Sequence, residues 1–178
     1  MHPRMQELRA HLETGRRALL DAVAAVPAPD QQRQPAPGRW SVAEVVEHLW
    51  RVERGVAALL RREFDRVRDR LPRETATTSV LAAMNGAAML DRQRKLQAPP
   101  PVVPPDGLDV ATGLARLRES RQALLDVVTA ADGFAVGAIH APHPLFGDHD
   151  FYQWLAFVGF HEARHAAQVR EIGAQLRP

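Results

Sequence analysis

Between Phe151 and Leu176 the chain repeats at helical period. Phe151, Trp154, Val158, His161, His165, Gln168, Ile172 and Leu176 fall on one stripe, three and four residues apart. A stripe of that length commits the segment to a helix with one buried face. Two histidines, His161 and His165, lie on this stripe in line with a tryptophan and aliphatics. Imidazoles one turn apart on a buried face need partners for their ring nitrogens. A metal ion fits the spacing, because residues i and i+4 bring two nitrogens close enough to share one ion. The bland alternative is a pair of core-edge histidines hydrogen-bonded to neighbours.

Three further amphipathic stretches accompany this one. The first helix is expected over Arg4–Val26, with Leu8, Leu12, Leu19 and Val23 inward and Arg16, Arg17 and Asp21 turned out. Pro27-Ala28-Pro29 ends it. His11, beside Leu8 and Leu12, reads as a satisfied surface-edge residue. The second helix starts at a capping box, Ser41 with Glu44, and Trp40 and Val45 are placed as a hydrophobic staple. It carries Val45, Val46, Leu49, Val52, Val56, Leu60 and Phe64 inward, and His48 lies on the same stripe. A weaker helix is expected near Ser79–Gln97, followed by a proline-rich stretch, Ala98 to Gly107, that must be extended or turned. Another long helix follows, capped by Asp109 and spanning Val110–Ala131. Its Leu114, Leu117, Leu124, Leu125 and Val128 face in, its Arg116, Arg118, Glu119 and Arg121 face out, and Asp132-Gly133 stops it. The loop Gly133–His149 contains His140, His143 and His149; His140-x-x-His143 has a spacing that could ligate a metal, but on a proline-rich frame the favoured reading is that these histidines face solvent. Asp150 with Gln153 then caps the helix of the opening stripe. No period-two segment of useful length appears. Four apolar stripes that must bury one another imply an all-α four-helix bundle, a single domain over residues 1–178. The long link between the second and third bundle helices leaves a crossover topology open.

Composition narrows the function. Lys+Arg 23 against Asp+Glu 21 leaves a formal charge of +2, with both signs interspersed along Arg61–Arg70. That is a solvated helix face, and without aromatic interleaving it argues against a nucleic-acid surface. Cysteine is absent, which excludes cysteine nucleophiles and thiolate metal sites within the chain and permits a reducing compartment. No apolar signal-peptide core begins the sequence, and no run is long enough to span a membrane. The expectation is a soluble, cytoplasmic protein with no membrane partner.

Antiparallel packing of the second and last helices would bring His48 level with His161 and His165. Three imidazoles on a divalent ion, with a position left for water or substrate, form the pattern of a catalytic site. Gln168, three residues after His165, is a candidate to hydrogen-bond a ligand or cofactor. Glu44 is one turn from His48 but is used in the cap. The string His161-Glu162-x-x-His165 also matches the zincin protease signature. Zincins take a third ligand downstream, where Glu171 is badly placed around the helix. They also need a strand edge to align a peptide, so a protease is disfavoured.

Arg39-Trp40-Ser41-x-x-Glu44-Val45-x-x-His48-Leu49, Ala98-Pro99 with its following prolines, His143-Pro144-x-x-Gly147, and Trp154-Leu155-x-Phe157-x-x-x-His161-x-x-Arg164-His165-x-x-Gln168-Val169 together resemble the DinB/YfiT-like superfamily. The resemblance covers nearly the whole chain in the expected order. It implies an up-down-down-up four-helix bundle, commonly a homodimer, that binds zinc or nickel through His48, His161 and His165. Members include thiol S-transferases, mycothiol-dependent isomerases and domains of thiol-histidine biosynthesis enzymes. The implied function is a metal-dependent transferase acting on a small-molecule substrate with a low-molecular-weight thiol as cosubstrate. A metal-dependent hydrolase on the same site, or a non-catalytic dimeric stress-related bundle, are the alternatives.

Overall fold

Side-chain caps fix where the long helices begin. The computed structural model describes residues 1–105 and 109–177; Asp106 and Gly107 of the proline-rich stretch lie outside them. Within these, α1 spans Pro3–Ala24, α2 Val42–Val67, α3 Gly86–Leu90, α4 Val110–Ala131 and α5 Phe151–Leu176. Ser41 with Glu44 and Asp150 with Gln153 form reciprocal capping boxes at α2 and α5, and Asp109 caps α4. No helix among the described residues is long and apolar enough to cross a membrane.

The apolar residues separate into two clusters, and their membership gives the helix directions. Val42, Val45 and Val46, early in α2, share a cluster with Ala166, Val169 and Ile172, late in α5. Val56, Leu60 and Phe64 share the other with Phe151, Tyr152 and Leu155. So α2 and α5 are antiparallel. By the same reading α1 runs with α5, since Met5 and Leu8 join the second group and Leu19 and Val23 the first. Val110 and Leu117 against Leu124 and Val128 set α4 parallel to α2. The result is an up-down-down-up four-helix bundle in which the segment after α2 must cross over to start α4.

Between the two clusters lies a ring of buried charge to which each bundle helix contributes one residue. Arg16 of α1 meets Glu162 of α5 at 2.7 Å and Glu53 of α2 at 2.8 Å. Arg121 of α4 meets the same two glutamates at 2.6 Å each. Ser120 Oγ donates to Glu53 at 2.6 Å, and the arginines also reach the carbonyls of Leu12 and Leu117. Arg16 and Arg121, expected to face out, therefore face in. Burial alone would make Arg121 easier to deprotonate, but Glu162 and Glu53 outweigh it and hold its guanidinium more firmly charged than usual.

Two expectations are corrected in the connections. The helix expected over Ser79–Gln97 is reduced to a 3₁₀ turn at Leu81–Ala83 and the short α3. Asn85 breaks the run by capping Ala88 N at 3.1 Å, and from Met89 onward the carbonyls of Met89, Asp91 and Arg94 turn to Arg164. The loop expected over Gly133–His149 contains an antiparallel hairpin, β1 (His140–His143) with β2 (Gly147–Asp150). Gly147, at φ +82°, takes the left-handed position that closes its three-residue turn. Trp154 Nε1 donates to the carbonyl of Ala141 at 3.1 Å, fastening the hairpin to α5.

The α1–α5 contact is close because both helices present glycine. A Cβ at Gly159 would fall 2.3 Å from the His11 ring, and one at Gly15 2.6 Å from the carbonyl oxygen of Gly159. His11 is itself fixed there, with Nε2 3.0 Å from the carbonyl of Ala156. Gly159→Ala is expected to lower stability by about 1–3 kcal/mol through overpacking, measured by urea unfolding. A loss below a few tenths would mean α1 shifts freely at this crossing.

Candidate metal centre

The antiparallel α2–α5 pair sets one histidine from the start of α2 against two from the middle of α5. His161 Nε2 lies 3.2 Å from His48 Nε2 and 3.1 Å from His165 Nε2, and the three donor atoms all fall within 4.8 Å of one another. His48 and His165 are buried, and His161 is partly so. Each outer ring is oriented from behind. His48 Nδ1 donates to the carbonyl of Val102 at 2.8 Å, and His165 Nδ1 to Gln168 Oε1 at 2.8 Å. With the proton on Nδ1, the neutral rings of His48 and His165 both aim an Nε2 lone pair at His161. One imidazole N–H can satisfy only one of them.

A divalent cation resolves that conflict. Burial is the first cause that lowers the pKa of all three rings, and for His161 and His165 it does so far below the ordinary value, reinforced by the neighbouring imidazoles. They are neutral near pH 7, the form that ligates metal. Two nitrogens on a tetrahedral zinc at 2.0–2.1 Å stand about 3.3 Å apart, close to the spacings found here. The donor set fits a divalent ion of the zinc or nickel type, with the tautomers fixed by the hydrogen bonds on the far nitrogens.

The cluster opens onto a cavity of about 890 Å³ whose walls include Trp40, Val56, Met89, Val102, His143 and Phe157. The crossover thus does two things: Val102 orients His48, and its neighbours close one side of the cavity. The hairpin and its turn supply further lining residues, His143 to Phe146. His140 is exposed and meets Asp148 at 2.9 Å, as its loop placement suggested. His143 and His149, expected to be solvent-facing, are instead partly buried. The His143 ring lies 4.9 Å from Trp154 and 4.6 Å from Phe157, and burial lowers its pKa to about 4. His143 Nδ1 accepts from Leu145 N at 3.1 Å, so its proton sits on Nε2. None of these three joins the cluster.

The carboxylates that neighbour the histidines in sequence are engaged elsewhere. Glu44 closes the α2 cap, accepting from Ser41 N at 2.7 Å. Glu47 holds Arg51 at 2.9 Å and Arg116 at 3.2 Å. Glu162 is consumed by the buried ring of charge, which removes the general base that a zincin reading requires. Glu171 is the only carboxylate among the described residues lining the cavity, and it is paired with Arg92 at 2.9 Å. Arg164, which the sequence shows only as part of the α5 motif between the two histidines, is also a wall residue.

Burial of these histidines makes the metal-free protein acid-sensitive. Folded-state values for His11, His48, His143, His161 and His165 lie below the ordinary 6.5. Above that pH both folded and unfolded chains hold them neutral. Below it the unfolded chain takes up protons that the folded one refuses, so stability falls as pH falls, by at most about 1.4 kcal/mol per pH unit for each histidine that stays neutral in the folded chain. The urea midpoint of metal-free protein is expected to be level from pH 8 to 7 and to drop between 6.5 and 5. Most carboxylate titration, with ordinary values of 4.5 for glutamate and 3.8 for aspartate, lies below that window. A midpoint that stays level to pH 5 contradicts this.

An up-down-down-up bundle with a histidine triad between α2 and α5 defines a class, and the chain belongs to it by sequence as well. The family model of the DinB superfamily matches residues 11–169, so the protein is a member of that superfamily. It is 29% identical over 151 residues to the uncharacterised protein YuaE of Bacillus subtilis (strain 168), covering 81% of this chain and 83% of that one. In fold it is similar to TT2238, a four-helix bundle protein of known crystal structure. That match has a TM-score of 0.64 at 23% identity and spans 94% of this chain and 98% of the other.

Proposed function

We propose that this protein is a divalent-metal-dependent S-transferase that joins a low-molecular-weight thiol to an electrophilic small molecule. The observation that carries the reading is the convergence of three neutral imidazole nitrogens on the wall of a large cavity that offers no unpaired carboxylate among the described residues. His48, His161 and His165 would hold the ion, and Val102 and Gln168 orient two of the rings. When bound, a zinc or nickel ion lowers the pKa of a thiol until it is a thiolate at neutral pH. A site whose nucleophile is already deprotonated has no need of a protein base, and that suits this cavity. The apolar walls, Val56, Met89 and Phe157, seat the organic part of the reactants and exclude water. The thiol proton is released to solvent as the thiolate forms, the new bond joins sulfur to carbon, and the leaving group departs with its bonding pair.

The test is turnover of a chromogenic aryl halide by zinc- or nickel-loaded protein, with and without a panel of small thiols. Thiol-dependent release of halide that vanishes in His161→Ala supports the assignment. Thiol-independent consumption of esters or amides would move the reading to a hydrolase on the same three histidines. The active form is expected to be a homodimer, as the family likeness implies, and light scattering on the purified protein checks it.

A further inference from the structure

The cavity carries far more positive charge than the rest of the molecule. Among the described residues six cationic side chains line it, Arg39, Arg51, Arg92, Arg94, Lys95 and Arg164, against the single carboxylate of Glu171. The whole chain is only +2, so bulk composition does not account for this surplus. Arg51 and Arg92 are paired, with Glu47 and Glu171 respectively, at 2.9 Å each. Arg39, Arg94 and Lys95 are exposed, and among the described residues none has a carboxylate within salt-bridge distance. Arg164 is buried at 7% exposure, yet its partners are the main-chain carbonyls of Met89, Asp91 and Arg94. Carbonyl dipoles satisfy its donors without cancelling its charge.

The same cavity has extensive apolar walls beside these positive groups and the histidines. Val52, Val56, Leu59, Met89, Phe146 and Phe157 contribute to its walls. A cleft with walls of low polarity focuses the field of uncompensated charge and concentrates ions of opposite sign. We infer that the cavity selects amphipathic organic carboxylates: an apolar body packs against the Val56–Phe157 walls, and the carboxylate meets Arg39, Arg94 and Lys95. The inference rests on the proposed function in taking this cavity as the substrate site, and it names the chemical class of at least one reactant.

Octanoate and 1-octanol make a matched pair of probes, alike in chain length and different in charge. Their binding is measured by tryptophan fluorescence, since Trp40 and Trp154 line the cavity, on metal-free protein so that no ion can favour the carboxylate. Octanoate is expected to bind at least about tenfold more tightly than octanol at low ionic strength, with the preference shrinking in high salt. The triple variant Arg39→Ala, Arg94→Ala, Lys95→Ala replaces only exposed side chains; it should lose the preference while keeping its affinity for octanol. Equal affinity of wild type for the two probes overturns the inference. A preference that survives in the triple variant overturns it as well. Failure of zinc to bind would defeat the transferase reading and leave this comparison standing, because the comparison uses no metal.

Discussion

Elemental analysis of untagged protein is expected to return about one zinc or nickel per chain, and close to none for His48→Ala, His161→Ala or His165→Ala. The expectation follows from the tautomers. His48 and His165 spend their Nδ1 protons on Val102 and Gln168, leaving two lone pairs facing a third ring that carries at most one proton on the facing nitrogen. Loss of any one ring leaves two donors, too few for tight retention through purification. Gln168→Ala should retain the three nitrogens and weaken binding by about 10- to 100-fold, because it frees the His165 ring to rotate. His140→Ala and His143→Ala are the controls, since neither residue belongs to the cluster. Wild-type protein that takes up no divalent ion after reconstitution would make the triad a packing feature and would end the enzymatic reading.

The histidine triad was legible because it obeys local rules. A capping box fixes the start of α2, a second fixes α5, and spacing of three and four residues then puts all three rings on inward stripes. What could not be read are features made by distant partners. Arg16 and Glu162 stand 146 positions apart and meet at 2.7 Å; helical periodicity scores both simply as polar, and by that rule alone Arg16 and Arg121 belong outside. The helix expected over Ser79–Gln97 fails for a similar reason: Arg164 captures the carbonyls of Met89, Asp91 and Arg94, and these no longer serve an i to i+4 ladder. The hairpin leaves no periodic trace in the sequence, because four-residue strands containing Pro142 give no alternation to count. Its consequence is large for the site, because it converts His143 from an expected surface residue into a wall of the cavity.

Removing one member of the buried ring of charge should cost more than any apolar truncation on the surface of the bundle. Arg121→Met leaves Glu53 and Glu162 sharing Arg16 alone, and it is expected to destabilise the protein by about 3–5 kcal/mol. At about 2–4 °C per kcal/mol for a chain of this size, that is a fall in melting temperature on the order of 10 °C. The double variant Arg121→Met with Glu162→Met removes one charge of each sign, so its cost should be well below the sum of the two single changes. Urea unfolding of the four proteins of this cycle gives the coupling directly. Additive costs would mean that the four charges are solvated independently, contrary to exposures of 2% and 3% for the Glu162 and Glu53 side chains. The ring also bears on the metal centre. Glu162 is adjacent to His161 on α5, and its two arginines, one from α1 and one from α4, set the rotation of that helix. Arg121→Met should therefore weaken zinc binding without touching a ligand, whereas the double variant, with no stranded charge to pull the helix round, should recover part of the affinity.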